Sequence, residues 1–326
     1  MSVEQTGRPK ILLVGATGQL GRLLLRSLAP LGDLTATIHR PRPNDPALAN
    51  CRTLDLSNQQ DVRAAVREVQ PTLIVIAAAY TAVDKAEQET ELAEAVNATA
   101  PGILAEEGKQ FSASVIHYST DYVFNGAGNR PWTEDQPTAP LNAYGRSKLA
   151  GEERIRATGV PHLIMRTSWL YGLHGPNFVK TMLRLGSTRQ ELKVVADQIG
   201  APTPVSLLAD ITGQILAQAQ GQPAALLRQR GGVLNVCAAG ETSWQVFAEE
   251  IFRLARLRGM SLAVERLLPI ATSEYPTPAL RPLNSRLDLT QLRQRFGLVP
   301  SDWRTALAEN FSLLKLVWDE EQAAAR

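Results

Sequence analysis

Over its first half the chain alternates short, nearly unbroken apolar runs with longer stretches whose apolar residues recur every three or four positions. The runs are KILLVG (10–15), LTATIHR (34–40), CRTLDL (51–56), TLIVIAAA (72–79), SASVIHYS (112–119) and HLIMRTS (162–168). Between them the helical period predicts helices over 19–30, 58–69, 88–109 and 143–158. Strands that are apolar on both faces and separated by helices specify a parallel sheet covered on both sides. This is the doubly wound α/β class, whose ligands bind beyond the carboxyl ends of the strands.

After about residue 170 the rhythm loosens, and Pro and Gly enter in GLHGPNF, DQIGAPTP and SEYPTPALRPLN. Helical pieces remain at 176–187, 204–219, 242–257 and 302–316. The pattern predicts a dinucleotide-type sheet domain over 1–170, with a return to it at about 204–236. A smaller, entwined C-terminal lobe over 171–203 and 237–326 is expected to hold substrate. The acidic stretch DKAEQETELAEA reads as a solvated helix face.

Composition narrows the partners. With 34 Lys plus Arg against 32 Asp plus Glu, the net charge of +2 gives nucleic acid or anionic lipid no electrostatic foothold. A 44% hydrophobic and 20% charged chain of 326 residues is ordinary for a soluble globular protein. The two cysteines, Cys51 and Cys237, sit in apolar runs and read as free thiols of a reducing compartment. MSVEQTGRPK lacks the apolar core of a secretion signal, and the longest apolar stretch, LIVIAAAY (73–80), is too short to span a bilayer. A cytoplasmic protein with no membrane partner is expected. The four histidines are scattered, no metal-ligand spacing is present, and His117 and His162 read as packed strand residues.

ILLVGATGQLGRLLL places Gly15, Gly18 and Gly21 between the first strand and the first helix. Glycines there permit a tight turn and let backbone N–H groups approach a pyrophosphate at the helix N-terminus, the Rossmann device. The second strand ends in TIHRPRP, with no carboxylate for a ribose 2′-hydroxyl but with Arg40 and Arg42. Guanidinium groups suit a 2′-phosphate, so NADPH is the expected cofactor and NADH stays possible. The alternative is a pair of solvated loop arginines. Asp55, closing the third strand run, is placed either to accept from the adenine amino group or to serve as a turn acid.

In LNAYGRSKLAGEE, Tyr144 and Lys148 stand four residues apart, about one helical turn, and so share a face. An ammonium beside a phenol favours the phenolate and lowers the phenol's pKa, which eases proton release. Lys148 is therefore expected to tune Tyr144. Chance placement on a surface helix is the bland alternative.

With GATGQLG and AYGRSK in one α/β chain, the sequence resembles the extended short-chain dehydrogenases/reductases. AAAYTAVDKAE (77–87), STDYVFNG (119–126), RTSWLYG (166–172), DQIGAPTP (197–204) and RPLNSRLD (281–288) narrow the resemblance to the dTDP-4-dehydrorhamnose reductase family. The resemblance implies reduction of the C4 ketone of dTDP-4-dehydro-6-deoxy-L-mannose. It implies Tyr144 as proton donor, Lys148 as its partner, Thr120 on the ketone, and Asp121 and Trp169 on the sugar. Either Ser119 or Thr120 can face the ketone but not both, because a strand alternates; the family pattern selects Thr120. Asn177 and Arg286 are candidates for the nucleotide's base and diphosphate, although Arg286 can equally pair with Asp288 in lobe packing. The expected cofactor set is Gly15, Thr17, Gly18, Gln19, Leu20 and Gly21 in the loop, with Arg40, Asp55 and Leu56 after the next strands. Ala77, Ala78, Ala79 and Thr81 join Tyr144 and Lys148 to complete it. Tyr80 stands where many relatives carry His, so the cofactor-ribose surroundings are expected to differ.

A nucleotide-sugar 4,6-dehydratase needs an Asp–Glu pair after the Thr, but here Asp121 is followed by Tyr122, which favours plain reduction. The alternatives are a reductase or epimerase for another nucleotide-linked 4-keto deoxysugar, or a cofactor-holding regulatory subunit of methionine adenosyltransferase type. A Mg²⁺ requirement and a homodimer are both open at this stage.

Overall fold

A computed structural model describes residues 7–42 and 45–324. Among these residues seven parallel strands form the central sheet. β1 (Lys10–Val14) lies between β2 (Asp33–Ile38) and β4 (Leu73–Ile76). β3 (Arg52–Thr53) extends the sheet past β2. On the other side follow β5 (Ser114–Thr120), β6 (His162–Thr167) and the strand Gly232–Asn235. The chain thus winds outward in both directions from β1, which opens a crevice between β1 and β4 at the carboxyl ends.

Both faces of the sheet are covered, as continuous apolar strands require. Ile11 and Leu13 pack into one core with Leu20 and Leu24 of α1 (Gln19–Leu28) and with the helix Val205–Ala217. Leu12 and Val14 turn to the other, against Val62 and Val66 of α2 (Gln59–Val69). A third core joins the helices Phe178–Gly186, Trp244–Leu257 and Trp303–Ala324 through Val179, Phe247, Trp303 and Phe311. The chain passes from this third core back to the sheet over 205–235 and then returns to it.

Two expected strands are shorter than their apolar runs. The run 51–56 pairs only at Arg52–Thr53, because Asp55 turns the chain by accepting from Ser57 N (2.9 Å) and Oγ (2.7 Å). Asn58 then caps α2. The run 72–79 leaves the sheet after Ile76, and its alanines become a loop.

The expected helix over 88–109 is three segments: α3 (Thr90–Glu94), a π-helical turn at Ala95–Thr99, and α4 (Ala100–Lys109). The wide turn carries Asn97, whose Oδ1 accepts from Tyr80 N (2.8 Å) while Nδ2 donates to Tyr80 O and Ser147 Oγ (both 3.0 Å). One side chain therefore ties the loop after β4 to α5 (Ala143–Ala157). α5 docks so closely that a Cβ at Gly151 would stand 2.1 Å from the Asn97 carbonyl oxygen. It starts where Asn142 Oδ1 accepts from Gly145 N (2.8 Å), an N-cap, and Arg154 and Arg156 complement its C-terminal dipole. Among the described residues no helix is long and apolar enough to cross a membrane.

Candidate active site

The site lies where the glycine loop, the loop after β4, the end of β5 and the start of α5 converge. Gly15 holds φ +96°, and a Cβ there would meet Ala78 at 2.6 Å, so only glycine lets the β1 and β4 loops touch. Gly15 N and Ala16 N donate to Thr37 O of β2 at 3.2 and 2.8 Å. Gly18, exposed and extended, precedes α1 with no side-chain cap bond. The first N–H groups of that helix keep their donors for a ligand, and the cradle fits a pyrophosphate.

The rest of the expected cofactor set divides by burial. Leu20 and Leu56 are core residues, so their backbone alone is open to a ligand. Thr17, Gln19, Ala77, Ala78 and Ala79 are half-buried along the crevice, while Thr81 and Arg40 are exposed. Arg22 of α1 forms an ion pair with Asp45, which ties down the loop that carries Arg40 and Arg42. Asp55 is occupied by its own turn, whose Ser57 bonds hold the carboxyl below the usual range. Tyr80 turns its phenol to Glu89 Oε2 (2.6 Å), which pushes it up to about 12.

β5 ends by presenting two hydroxyls to opposite sides. Ser119 Oγ donates to Glu152 Oε1 at 2.5 Å, deep under α5. Thr120 instead lies on the Tyr144 side, where its hydroxyl holds back the rise of the phenol's pKa. The strand alternation thus points Thr120, and not Ser119, at the phenol. Thr120 Oγ1 also donates to Asp121 Oδ1 (3.1 Å) and accepts from Tyr122 N (3.2 Å), capping the short 3₁₀ turn Asp121–Val123. The Tyr144 ring packs edge-on to Tyr122, with centroids 5.7 Å apart.

Tyr144 and Lys148 do share a face of α5, and the ammonium is held by β5. Burial pushes the phenol above its ordinary value, Asp121 adds to the rise, and only the Thr120 bond opposes it. The Lys148 ammonium is meanwhile bonded to β5. Lys148 Nζ donates to Tyr118 O at 2.6 Å and lies 3.1 Å from His117 Nε2. A fully buried ammonium needs acceptors, and β5 supplies them within the reach of the lysine stem.

Asp121 is buried, and its Oδ2 has no protein partner. Burial raises its carboxyl to about 7, with the Ser285 and Thr120 hydroxyls holding back a larger rise. The folded chain therefore keeps a proton that the unfolded chain has shed between pH about 4 and 7, so stability falls as pH rises through that window. Asp121→Asn, which cannot ionise, is expected to raise the melting midpoint near pH 8 and to change it little near pH 4. Equal shifts at both pH values in a melting series would refute this.

Trp169 follows β6 with φ +49°, a conformation rare for a bulky side chain. Its indole stacks on Trp244 at 3.7 Å between centroids, and Trp244 Nε1 donates to Gln198 Oε1 (3.1 Å). Asn177 is an N-cap: Oδ1 accepts from Lys180 N (3.2 Å), and Nδ2 donates to Gly172 O (2.8 Å) and Gln19 Oε1 (3.2 Å). It joins the lobe to the glycine-loop helix with its polar atoms already in use. Arg286 pairs with Glu241 (2.7 Å) and not with Asp288. Sequence reading missed Arg281, which donates to Asp84 Oδ2 (2.8 Å) and fastens the 281–288 segment to the loop after β4.

Residues 9–315 match the family described as RmlD substrate binding domain. The dTDP-4-dehydrorhamnose reductase of Escherichia coli K12 is 46% identical over 298 residues, covering 91% of this chain and 95% of the relative. The chain belongs to the dTDP-4-dehydrorhamnose reductase family. The crystal structure of the Clostridium acetobutylicum reductase superposes with a TM-score of 0.81 at 36% identity, covering 94% of this chain and 99% of that one. The Bacillus anthracis reductase, solved in complex with NADP, gives 0.80 at 35% identity, with 93% and 99% covered. Within this family fold the β5 terminus, the start of α5 and the 281–288 segment are the parts that enclose Thr120, Asp121 and Tyr144.

Proposed function

We propose that the chain reduces the C4 ketone of dTDP-4-dehydro-6-deoxy-L-mannose to dTDP-L-rhamnose with a nicotinamide cofactor, NADPH being the preferred form. The observation that carries this reading is the placing of Thr120, at the end of β5, on the same side as Tyr144 of α5, in a chain 46% identical to the Escherichia coli reductase. The cofactor, when bound, supplies the hydride for the ketone carbon.

The protein's own task is the oxygen. Thr120, turning its one hydroxyl proton from Asp121 to the ketone, donates a neutral hydrogen bond that strengthens as negative charge develops there. Tyr144 holds its proton firmly at rest, since burial and Asp121 both disfavour the phenolate. It releases the proton to the alkoxide, a far stronger base than phenolate. Such general acid catalysis is typically worth roughly 10²–10⁴-fold. Two of the three Lys148 ammonium protons are taken up by β5, which leaves one for the phenolate or the nicotinamide ribose. The unpartnered Oδ2 of Asp121 and the Trp169 indole hold the sugar. Exposed Arg40, with Arg42, takes the 2′-phosphate.

The test is direct: purified protein is incubated with NADPH and the keto sugar, and cofactor absorbance is followed together with the sugar product. Cofactor oxidation matched by dTDP-L-rhamnose is expected. Product formed without net cofactor oxidation would indicate epimerisation, and no change would sink the reading.

A further inference from the structure

His117 sits in the middle of β5, fully buried, and no step described so far uses it. Its Nε2 lies 3.1 Å from Lys148 Nζ, and its Nδ1 has no hydrogen-bond partner. An ammonium only donates, so the ring nitrogen facing it must accept. That fixes the tautomer: the proton is on Nδ1, and Nε2 carries the lone pair. A buried N–H without a partner costs free energy that valine or leucine, packing in the same strand, would not incur. The cost is offset on the other side of the ring, where imidazole and the Tyr118 carbonyl are the two acceptors of a lysine that is itself buried.

We infer that His117 is a positioning residue for Lys148: its neutral Nε2, together with Tyr118 O, pins the ammonium against β5 and leaves a single N–H for the reacting site. This rests on the reading of Lys148 as a residue of the reductase site. Without the imidazole, the lysine stem is free to swing and its charge is held by one acceptor.

The electrostatics agree. Burial, and then the adjacent ammonium, keep His117 well below the ordinary imidazole range, so it stays neutral and able to accept. Burial lowers Lys148 to about 8, while Glu152, one turn further along α5, works to keep it charged. Glu152 is itself bound by Arg166 of β6 and Ser119 of β5. Tyr144 precedes Lys148 by four residues on the same helix, and the π turn faces α5 with Asn97, a neutral amide.

Two measurements test the inference. Nitrogen-15 NMR of histidine-labelled wild-type protein is expected to show His117 as the neutral Nδ1–H tautomer from about pH 6 to 7, where Lys148 is an ammonium, with no titration. An Nε2–H tautomer, or protonation in that range, overturns it without reference to activity. In the kcat/KM profile, His117→Leu is expected to shift the alkaline limb set by Lys148 downward by about one unit. His117→Gln, whose Oε1 can accept, is expected to restore it. A leucine variant with the wild-type limb reduces His117 to packing and overturns the proposal. Lack of reductase turnover in the wild type strikes at the function alone, because the tautomer is read independently.

Discussion

Tyr144→Phe is expected to lower kcat by about 10²–10⁴-fold while cofactor affinity stays at the wild-type level. The substitution removes one oxygen and leaves the ring, which keeps its edge contact with Tyr122 and its place beside Tyr80 and Ala143. Stability should therefore change little. What disappears is the proton for the alkoxide. Thr120 remains and still donates a neutral bond, so residual turnover is expected rather than none. Steady-state kinetics paired with a cofactor titration would decide the matter. A phenylalanine variant that turns over like wild type would remove Tyr144 from the chemistry.

The largest effect on stability is expected at Glu152. Its carboxylate accepts from Arg166 Nε (3.0 Å) and Nη2 (2.7 Å) and from Ser119 Oγ (2.5 Å). The Glu152 and Arg166 side chains are 0% and 2% exposed. Glu152→Ala leaves a guanidinium in the core with little more than the Glu134 carbonyl (3.3 Å) and the Phe124 ring (5.0 Å). Breaking a buried pair from one side costs about 3–5 kcal/mol. Denaturant melts would show it as a lower midpoint with an unchanged slope. Adding Arg166→Met should recover much of the loss, since removing both charges leaves nothing unpaired. A single variant within about 0.5 kcal/mol of wild type would show that the pair does not hold α5 in place.

The same residues show why the sequence is legible in some places and opaque in others. β1 and β4 are readable because a parallel strand buried on both faces has almost no polar position, and few helices look like that. The glycine loop is readable because its function constrains backbone, which leaves a residue signature. Tyr144 and Lys148 are readable as neighbours, since a helical turn fixes their relation within one segment. Their electrical relation is not, because it depends on a carbonyl and an imidazole from a strand some thirty residues earlier. Asp121 looks like any loop acid in the sequence, and only its burial makes it titrate near 7. Arg286 and Arg281 have carboxylate partners 45 and 197 positions away, at Glu241 and Asp84, beyond any local pattern. The π turn at 95–99 leaves the apolar spacing of 88–109 intact enough to read as one helix.

That wide turn has a consequence for how this stretch can vary in length. It holds one residue more than an α turn, and each α-helical residue advances the phase by about 100°. The wide turn spends its extra residue on the same rotation, so deleting one of Ala95–Thr99 would let the segment relax to regular α geometry with α4 still in phase. Ile103 and Leu104 would keep their place under the sheet, and what would be lost is the aim of Asn97 at Tyr80 and Ser147. The surplus residue thus serves to present Asn97, and trimming it should be better tolerated than deleting a residue within α4, which would turn everything beyond it by about 100°.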